Sequence, residues 1–426
     1  MTCSTTTRLH ENCPNGGATS RGRAQPSRSR PTVAMFALAV VGVTAAIYVC
    51  GVLITPHVLS SFHYSDFGTF YRATATNRLY GPDPDLPVVG SARMTNLNSP
   101  FFHFLFRPLT LLPLADAYVV WLALTAGVFV AGLLKTAKRT PPAWPWWMWC
   151  VLLAWTPLFS LVYTGQITAL VFVPLTLAWW ADRDRHRVAA GFWLGLAFSL
   201  KPHLLLVFVW WVFRGRWRSL VVALLTTTAT VALAAVVYGW SAYASWAGHL
   251  GGANWTWAAM NSSLWALPSR LWQATPYYAH LSIHPQLIGP VTAFIVVPAG
   301  LATLWGLWKV RNPDIAWALA LISTTLIMPL GWAYYAWWWV PMAMGLSLPR
   351  WVWSAVALLM VTPVVLLAPW VSESILMTFT VGAAPVYASA ILWAAVLRLA
   401  LTVSQATNTE EDGAILVVDR PQTDLS

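Results

Sequence analysis

The sequence predicts an all-α polytopic membrane protein: a bundle of about twelve apolar helices whose external loops carry short interfacial helices. Three observations predict it. Hydrophobic residues make up 58% of the chain and charged residues only 9%, whereas a soluble domain needs roughly 25% charged residues to face water. Apolar runs longer than about 18 residues recur from end to end, each able to cross a hydrocarbon core of roughly 30 Å. The 29 tryptophans suit a protein whose amphipathic rings gather where hydrocarbon meets headgroup.

Residues 1–31 are polar and rich in Ser, Thr, Pro and Arg, and read as a disordered cytoplasmic tail. The transmembrane domain occupies 32–403. Its first run, Thr32 to Thr55, is too long for a signal-peptide core and lacks a small-residue cleavage site, so it reads as a retained anchor. Further spans are expected near 112–134, 145–163, 166–181, 188–200, 203–213, 219–239, 287–308, 315–332, 335–349, 351–370 and 376–402. Those around 200 and 335 are short, as broken or tilted helices would be. Residues 404–426 are acidic and polar, a second tail.

The formal net charge of +11 would suggest nucleic acid in a soluble protein, but its placement excludes that partner. Basic residues cluster between spans: Lys135/Lys138/Arg139, Arg183/Arg185/Arg187, Arg214/Arg216/Arg218 and Lys309/Arg311. Lys and Arg are retained in the cytoplasm. With the Arg-rich N-terminus inside, every cluster follows an even number of spans and falls inside too, which puts both termini in the cytoplasm. Outside, by subtraction, lie two long loops at about 56–111 and 240–286 and the corners at 163–166, 200–203 and 331–335. The cytoplasmic loops are too short for a site, so any chemistry is expected on the external side of the cytoplasmic membrane. Cys3, Cys13, Cys50 and Cys150 lack metal-binding spacing and read as inert thiols.

In the first external loop, Asp66 stands among aromatics, with Tyr71 and Arg72 close behind. A carboxylate at the interface can take a proton from a hydroxyl nucleophile; equally, Ser65 or Asp66 can cap a short interfacial helix through Phe70 and Arg72. The stretch Asn96-Leu-Asn98-Ser-Pro100-Phe-Phe-His103, followed by Pro108 and Pro113, is no clean span. It reads as a re-entrant or surface helix before the true second helix, at a depth where irregular backbone implies a cavity. Lys201-Pro202-His203 places a cation at an external helix end, able to pair with a lipid phosphate or to snorkel to the headgroups. Gln166 is a helix cap or a sugar-binding amide. Asn261-Ser-Ser263, among tryptophans, matches the weak glycosylation pattern or cradles a sugar ring. Gly331-Trp-Ala-Tyr334-Tyr335-Ala-Trp337-Trp-Trp339 taken alone is an aromatic belt.

Taken in order, these pieces resemble glycosyltransferase family 87, membrane enzymes of the GT-C class that include polyprenyl-phosphate-mannose-dependent mannosyltransferases. The carriers are Asp66-Phe-x-x-Phe-Tyr71 with Leu79-Tyr80-Gly81, Asn96-Leu-Asn98-Ser-Pro100-Phe with Pro108-Leu-x-x-Leu-Pro113, Gly165-Gln166-x-x-x-Leu170, Gly195-Leu-Ala-x-x-x-Lys201-Pro202, and Asn261-Ser-Ser263. The resemblance implies Asp66 as catalytic base, Lys201 beside the donor phosphate, and inversion at the anomeric carbon. One departure stands out: Trp332-Ala-Tyr334-Tyr335 replaces a frequent Trp-x-His-His segment.

The expected function is therefore transfer of a sugar, mannose before arabinofuranose, from a polyprenyl-phosphate donor to a glycolipid or glycan acceptor. Nucleotide sugars, made inside, do not reach an outward site. Asp66 is the expected base; Lys201, His203, Arg72, Tyr71, Asn98, Gln166, Asn261, Tyr334 and Tyr335 are the expected donor and substrate contacts. Membrane lipids are the other partners. No cofactor is called for, and the scattered acids do not form a metal site. A secondary transporter or lipid flippase is the rival reading, since many spans and broken helices suit it.

Overall fold

A computed structural model of the chain describes residues 66–416, except 81–87, 90–91, 94–95, 141, 154, 156, 159–160, 162–163, 253–254, 259, 274–278, 283 and 362–373. The expected N-terminal tail and first span lie outside these residues, as do Ser65 and the last ten positions of the expected C-terminal tail. The described elements are helical apart from a two-residue antiparallel pair, Val88–Val89 with Ala92–Arg93.

The short helix expected through Phe70 and Arg72 is α1 (Asp66–Ala75). The interrupted stretch after it is α2 (Pro100–Phe106), capped by Ser99, whose Oγ accepts from Phe102 N at 3.3 Å with Pro100 pre-set for the first turn. A 3₁₀ segment, Arg107–Leu111, then leads into α3 (Leu114–Arg139), the long helix expected after Pro113. In the next expected span, 145–163, Met148–Leu153 is helical and so are residues 157, 158 and 161; positions 154, 156, 159–160 and 162–163 lie outside the described residues. α4 (Thr168–Arg183), α5 (Arg187–Leu200), α6 (Leu205–Phe213) and α7 (Trp217–Tyr238) follow. Beyond α8 (Trp240–Gly252) and α9 (Ala266–Trp272) in the second long loop come α10 (Pro285–Lys309), α11 (Pro313–Ile327), α12 (Ala336–Ala343), α13 (Arg350–Val361) and α14 (Ala384–Leu416).

The expectation of about twelve crossings is met in part. Among the described residues, four helices are long and apolar enough to span a membrane: α3, α7, α10 and α14 as far as Ser404. α5, α6, α11 and α13 are apolar but shorter. α11 stops five residues before the expected end at 332 because Met328 precedes Pro329 and takes an extended conformation, ψ 147°. The helical backbone of α14 runs past the expected boundary at 403 to Leu416.

The long helices turn apolar side chains outward, with Leu224 and Leu225 on α7 and Phe294 on α10 exposed, as expected where the solvent is lipid. The tryptophans are not confined to a belt: Trp155, Trp179, Trp210, Trp211, Trp317, Trp338, Trp339 and Trp353 are fully buried. In the segment read as an aromatic belt, residues 333–340 are buried in the core. Helix pairing sets the polarity of the bundle. α4 and α5 are joined by a three-residue turn and pack together, and α5 packs on α7 through Gly191 and Gly195, where a Cβ at 195 would lie 2.5 Å from Ala223 O. Gln166, before α4, and Lys201, after α5, therefore share one end of the bundle. Asp182 and Arg187 share the other.

Candidate active site

Asp66 opens α1 and is partly buried. Its Oδ2 accepts a hydrogen bond from Gln166 Nε2, 100 residues away; Oδ1 has no partner among the described residues. The corner that presents Gln166 depends on Gly165. It has φ +64°, and a Cβ there would lie 2.6 Å from Phe67 Cβ and 3.1 Å from the Tyr118 ring. Only glycine both adopts this backbone easily and lets the corner approach α1 so closely. Trp121 Nε1 pins the corner by donating to Gly165 O at 2.9 Å. Gln166 thus does not cap α4, whose N-cap is Ile167; its amide is engaged by Asp66.

Lys201 caps the C-terminus of α5 in an extended conformation, because Pro202 cannot continue the helix. It is 6% exposed, and its Nζ lies 6.0 Å from the centre of the Tyr335 ring, the outer limit of a cation–π contact. Among the described residues its ammonium makes no hydrogen bond and has no carboxylate within ion-pair distance. It nevertheless senses Asp66. Burial pushes the Asp66 carboxyl up to about 6, against the opposing pull of the Gln166 hydrogen bond and the Lys201 charge. Burial pushes the Lys201 ammonium down to about 8, against the pull of Asp66. An acid and a base so displaced, in one place, are what proton transfer and anion binding near neutrality require.

Tyr334 and Tyr335 complete the cluster. They lie on a 3₁₀ turn, Ala333–Tyr335, within electrostatic reach of Asp66. Tyr335 stacks on Trp338 at 4.0 Å and meets the His203 ring at 5.8 Å; His203 Nδ1 is buried without a partner among the described residues. Tyr334 stacks against Trp332 at 6.0 Å.

Other expected contacts do not join this cluster. The Tyr71 hydroxyl donates to Leu112 O at 2.6 Å, tying α1 to the start of α3. Arg72, six residues after Asp66, projects from a different face of the helix at about 100° per residue, and its buried Nε and Nη2 have no partner among the described residues. Asn261 is fully buried and engaged by backbone: Nδ2 donates to Thr256 O at 2.9 Å and Pro329 O at 2.8 Å, and Oδ1 accepts from Ser263 N at 3.0 Å. Its backbone bridges to Trp332, so it holds the tyrosine turn in place rather than facing a substrate. Asn98 sits on the seam between α2 and α5; its backbone carbonyl accepts from Tyr80, and its buried Oδ1 has no partner among the described residues.

Three supports are absent from the sequence-based site. His103 on α2 is fully buried, and burial holds it neutral by lowering its pKa to about 3. Thr74 Oγ1 donates to Phe70 O at 2.7 Å, so it accepts from His103 Nδ1–H, also at 2.7 Å; Nε2 then accepts from Asn96 Nδ2 at 2.6 Å. This chain locks α1 against α2. Ser99 Oγ donates to Ser199 O at 2.7 Å, fixing α2 to the helix end that carries Lys201. Arg270, also fully buried, donates to the backbone carbonyls of Trp257, Ala258, Asn261 and Gly382 at 2.7–3.3 Å. The periodicity around His103 marks a buried face, but only its partners reveal a bracing role.

The profile of glycosyltransferase family 87 matches residues 96–331, more than half of the 426-residue chain. No curated protein and no solved structure matches. The matched stretch contains Gln166, Lys201, His203 and the Asn261 clamp; Asp66 lies before it and is joined to it through Gln166. On the strength of that match, the chain belongs to glycosyltransferase family 87 and is a membrane glycosyltransferase.

Proposed function

We propose that this enzyme transfers a sugar, mannose being the first candidate, from polyprenyl phosphate to a hydroxyl of a glycolipid or glycan acceptor. The reaction takes place at the outer face of the cytoplasmic membrane. Asp66 Oδ1 takes the proton of the acceptor hydroxyl, and the acceptor oxygen attacks the anomeric carbon. The bond from that carbon to the phosphate oxygen breaks, its electron pair leaves with polyprenyl phosphate, and the sugar is inverted. The Lys201 ammonium compensates the charge developing on the phosphate, an interaction that strengthens toward the transition state. Gln166 orients the carboxylate from its other oxygen, and His203, Tyr334 and Tyr335 line the space around it.

The observation that carries this reading is the meeting, at one end of the bundle, of a carboxylate oxygen and a buried ammonium that have no partner among the described residues. A transporter draws less support, because these groups gather at a helix end rather than at mid-depth. The test is transfer of labelled mannose from polyprenyl-phosphate-mannose by the purified chain, beside an Asp66→Asn variant. Loss of transfer in a folded variant is expected; near-normal turnover removes Asp66 from the mechanism. Labelling a cysteine at position 66, in a chain free of native cysteines, with an impermeant reagent on intact cells tests the side. Protection from that reagent would sink the lipid-donor reading.

A further inference from the structure

The opposite end of the bundle carries a site that the transferase chemistry does not use. The turns after α4 and after α6 are twins. In the first, His186 N donates to Ala181 O at 2.7 Å and Arg185 N to Asp182 O at 3.1 Å; in the second, Arg216 N donates to Trp211 O at 2.9 Å and Gly215 N to Val212 O at 3.0 Å. Both close a helix through a residue in the left-handed region, φ +62° at Arg185 and +61° at Gly215. Glycine is the usual occupant there. An arginine holds the position against its conformational preference.

Charge pairing singles out the same residue. Arg187 and Arg216 pair with Asp182, Arg139 with Asp184, and Arg183 lies 3.7 Å from Asp314. Arg185 and Arg218 are exposed and have no carboxylate partner among the described residues. The two border one open groove of about 680 Å³, which Arg187 and His186 also line. Its floor is apolar: Phe192, 44% exposed, and Trp193 lie a turn and more into α5, away from the cations.

We infer that this groove binds an anionic phospholipid, its phosphate between Arg185 and Arg218 and its acyl chain along Phe192. Unpaired guanidinium groups suit a phosphate, and the apolar floor beside the apolar helices α5 and α7 suits a tail that a free anion lacks. The site is separate from the Asp66 cluster and stands whatever the transferred sugar is.

The test is retention of phosphatidylglycerol against phosphatidylcholine by the purified full chain, read by native mass spectrometry. The variants are Arg185→Gly with Arg218→Gln, and Arg350→Gln as a control at another exposed basic position. Glycine suits the backbone at 185, so the double variant should melt like the parent. The parent should prefer phosphatidylglycerol, and the preference should fall by about fivefold for each arginine removed, while the control keeps it. Equal retention of both lipids by the parent overturns the inference. So does an unchanged preference in the double variant, and so does displacement of phosphatidylglycerol by millimolar inorganic phosphate regardless of acyl length, which would make this a site for free anions.

Discussion

Asp66 and Asp182 are both carboxylates at the ends of the same helix pair, separated by the length of α4, roughly 24 Å at 1.5 Å per residue. Asp182 is wholly satisfied. Its Oδ1 accepts from Arg187 at 2.9 Å, and its Oδ2 accepts from Trp317 Nε1 at 2.8 Å and pairs with Arg216. Among the described residues, Asp66 accepts one amide from Gln166, keeps an oxygen free, and has Lys201 beyond ion-pair distance. The same side chain is locked in one place and poised in the other. A buried charge with every partner in place contributes structure; one left partly unmet has a shifted pKa and room for a substrate atom.

The comparison predicts opposite consequences for the same substitution. Asp66→Asn should lower transfer by about 10²–10⁴-fold, the usual contribution of a positioned general base, with an unchanged melting temperature. Asp182→Asn should leave turnover per folded molecule near normal. It should cost about 3–5 kcal/mol of stability, because Arg187 and Arg216 lose a buried partner. Thermal unfolding beside single-turnover transfer separates the two, and a reversal of these outcomes would undo the contrast drawn here.

Lys201→Met should cut kcat/KM by about 10²-fold through lost charge compensation, measured by varying the lipid donor. The pH profile of kcat/KM in the parent should be bell-shaped. Below about 6 the Asp66 carboxyl is protonated and takes no further proton; above about 8 the Lys201 ammonium loses its charge. Gln166→Leu should have the smallest effect on the maximum rate but move the acid limb to higher pH, since the amide stabilises the carboxylate form. An unmoved limb would mean that Gln166 does not orient Asp66.

Much of this was legible in the chain. The short helix at Asp66, the break at Pro202 and the long helix after Pro113 all follow from local rules of hydropathy and proline geometry, and all are found. Asn261 and Gln166 show where local reading ends. Each is a polar residue beside a corner between helices, and nothing in the flanking residues separates them. One is turned inward and consumed by backbone carbonyls, while the other reaches a carboxylate 100 positions earlier. Tyr334 and Tyr335 were ambiguous for the same reason, since an aromatic run reads alike at a lipid interface and in a core.

By itself the sequence determined that this protein lives in a membrane as a bundle of apolar helices with basic turns, because transfer free energies and chain-breaking residues act locally and add along the chain. Only the tertiary structure decided which polar groups meet. Pairing of α4 with α5, and the close approach that Gly165 permits, bring Gln166, Lys201 and Asp66 to one end, and contacts between residues so distant in the chain leave no local trace.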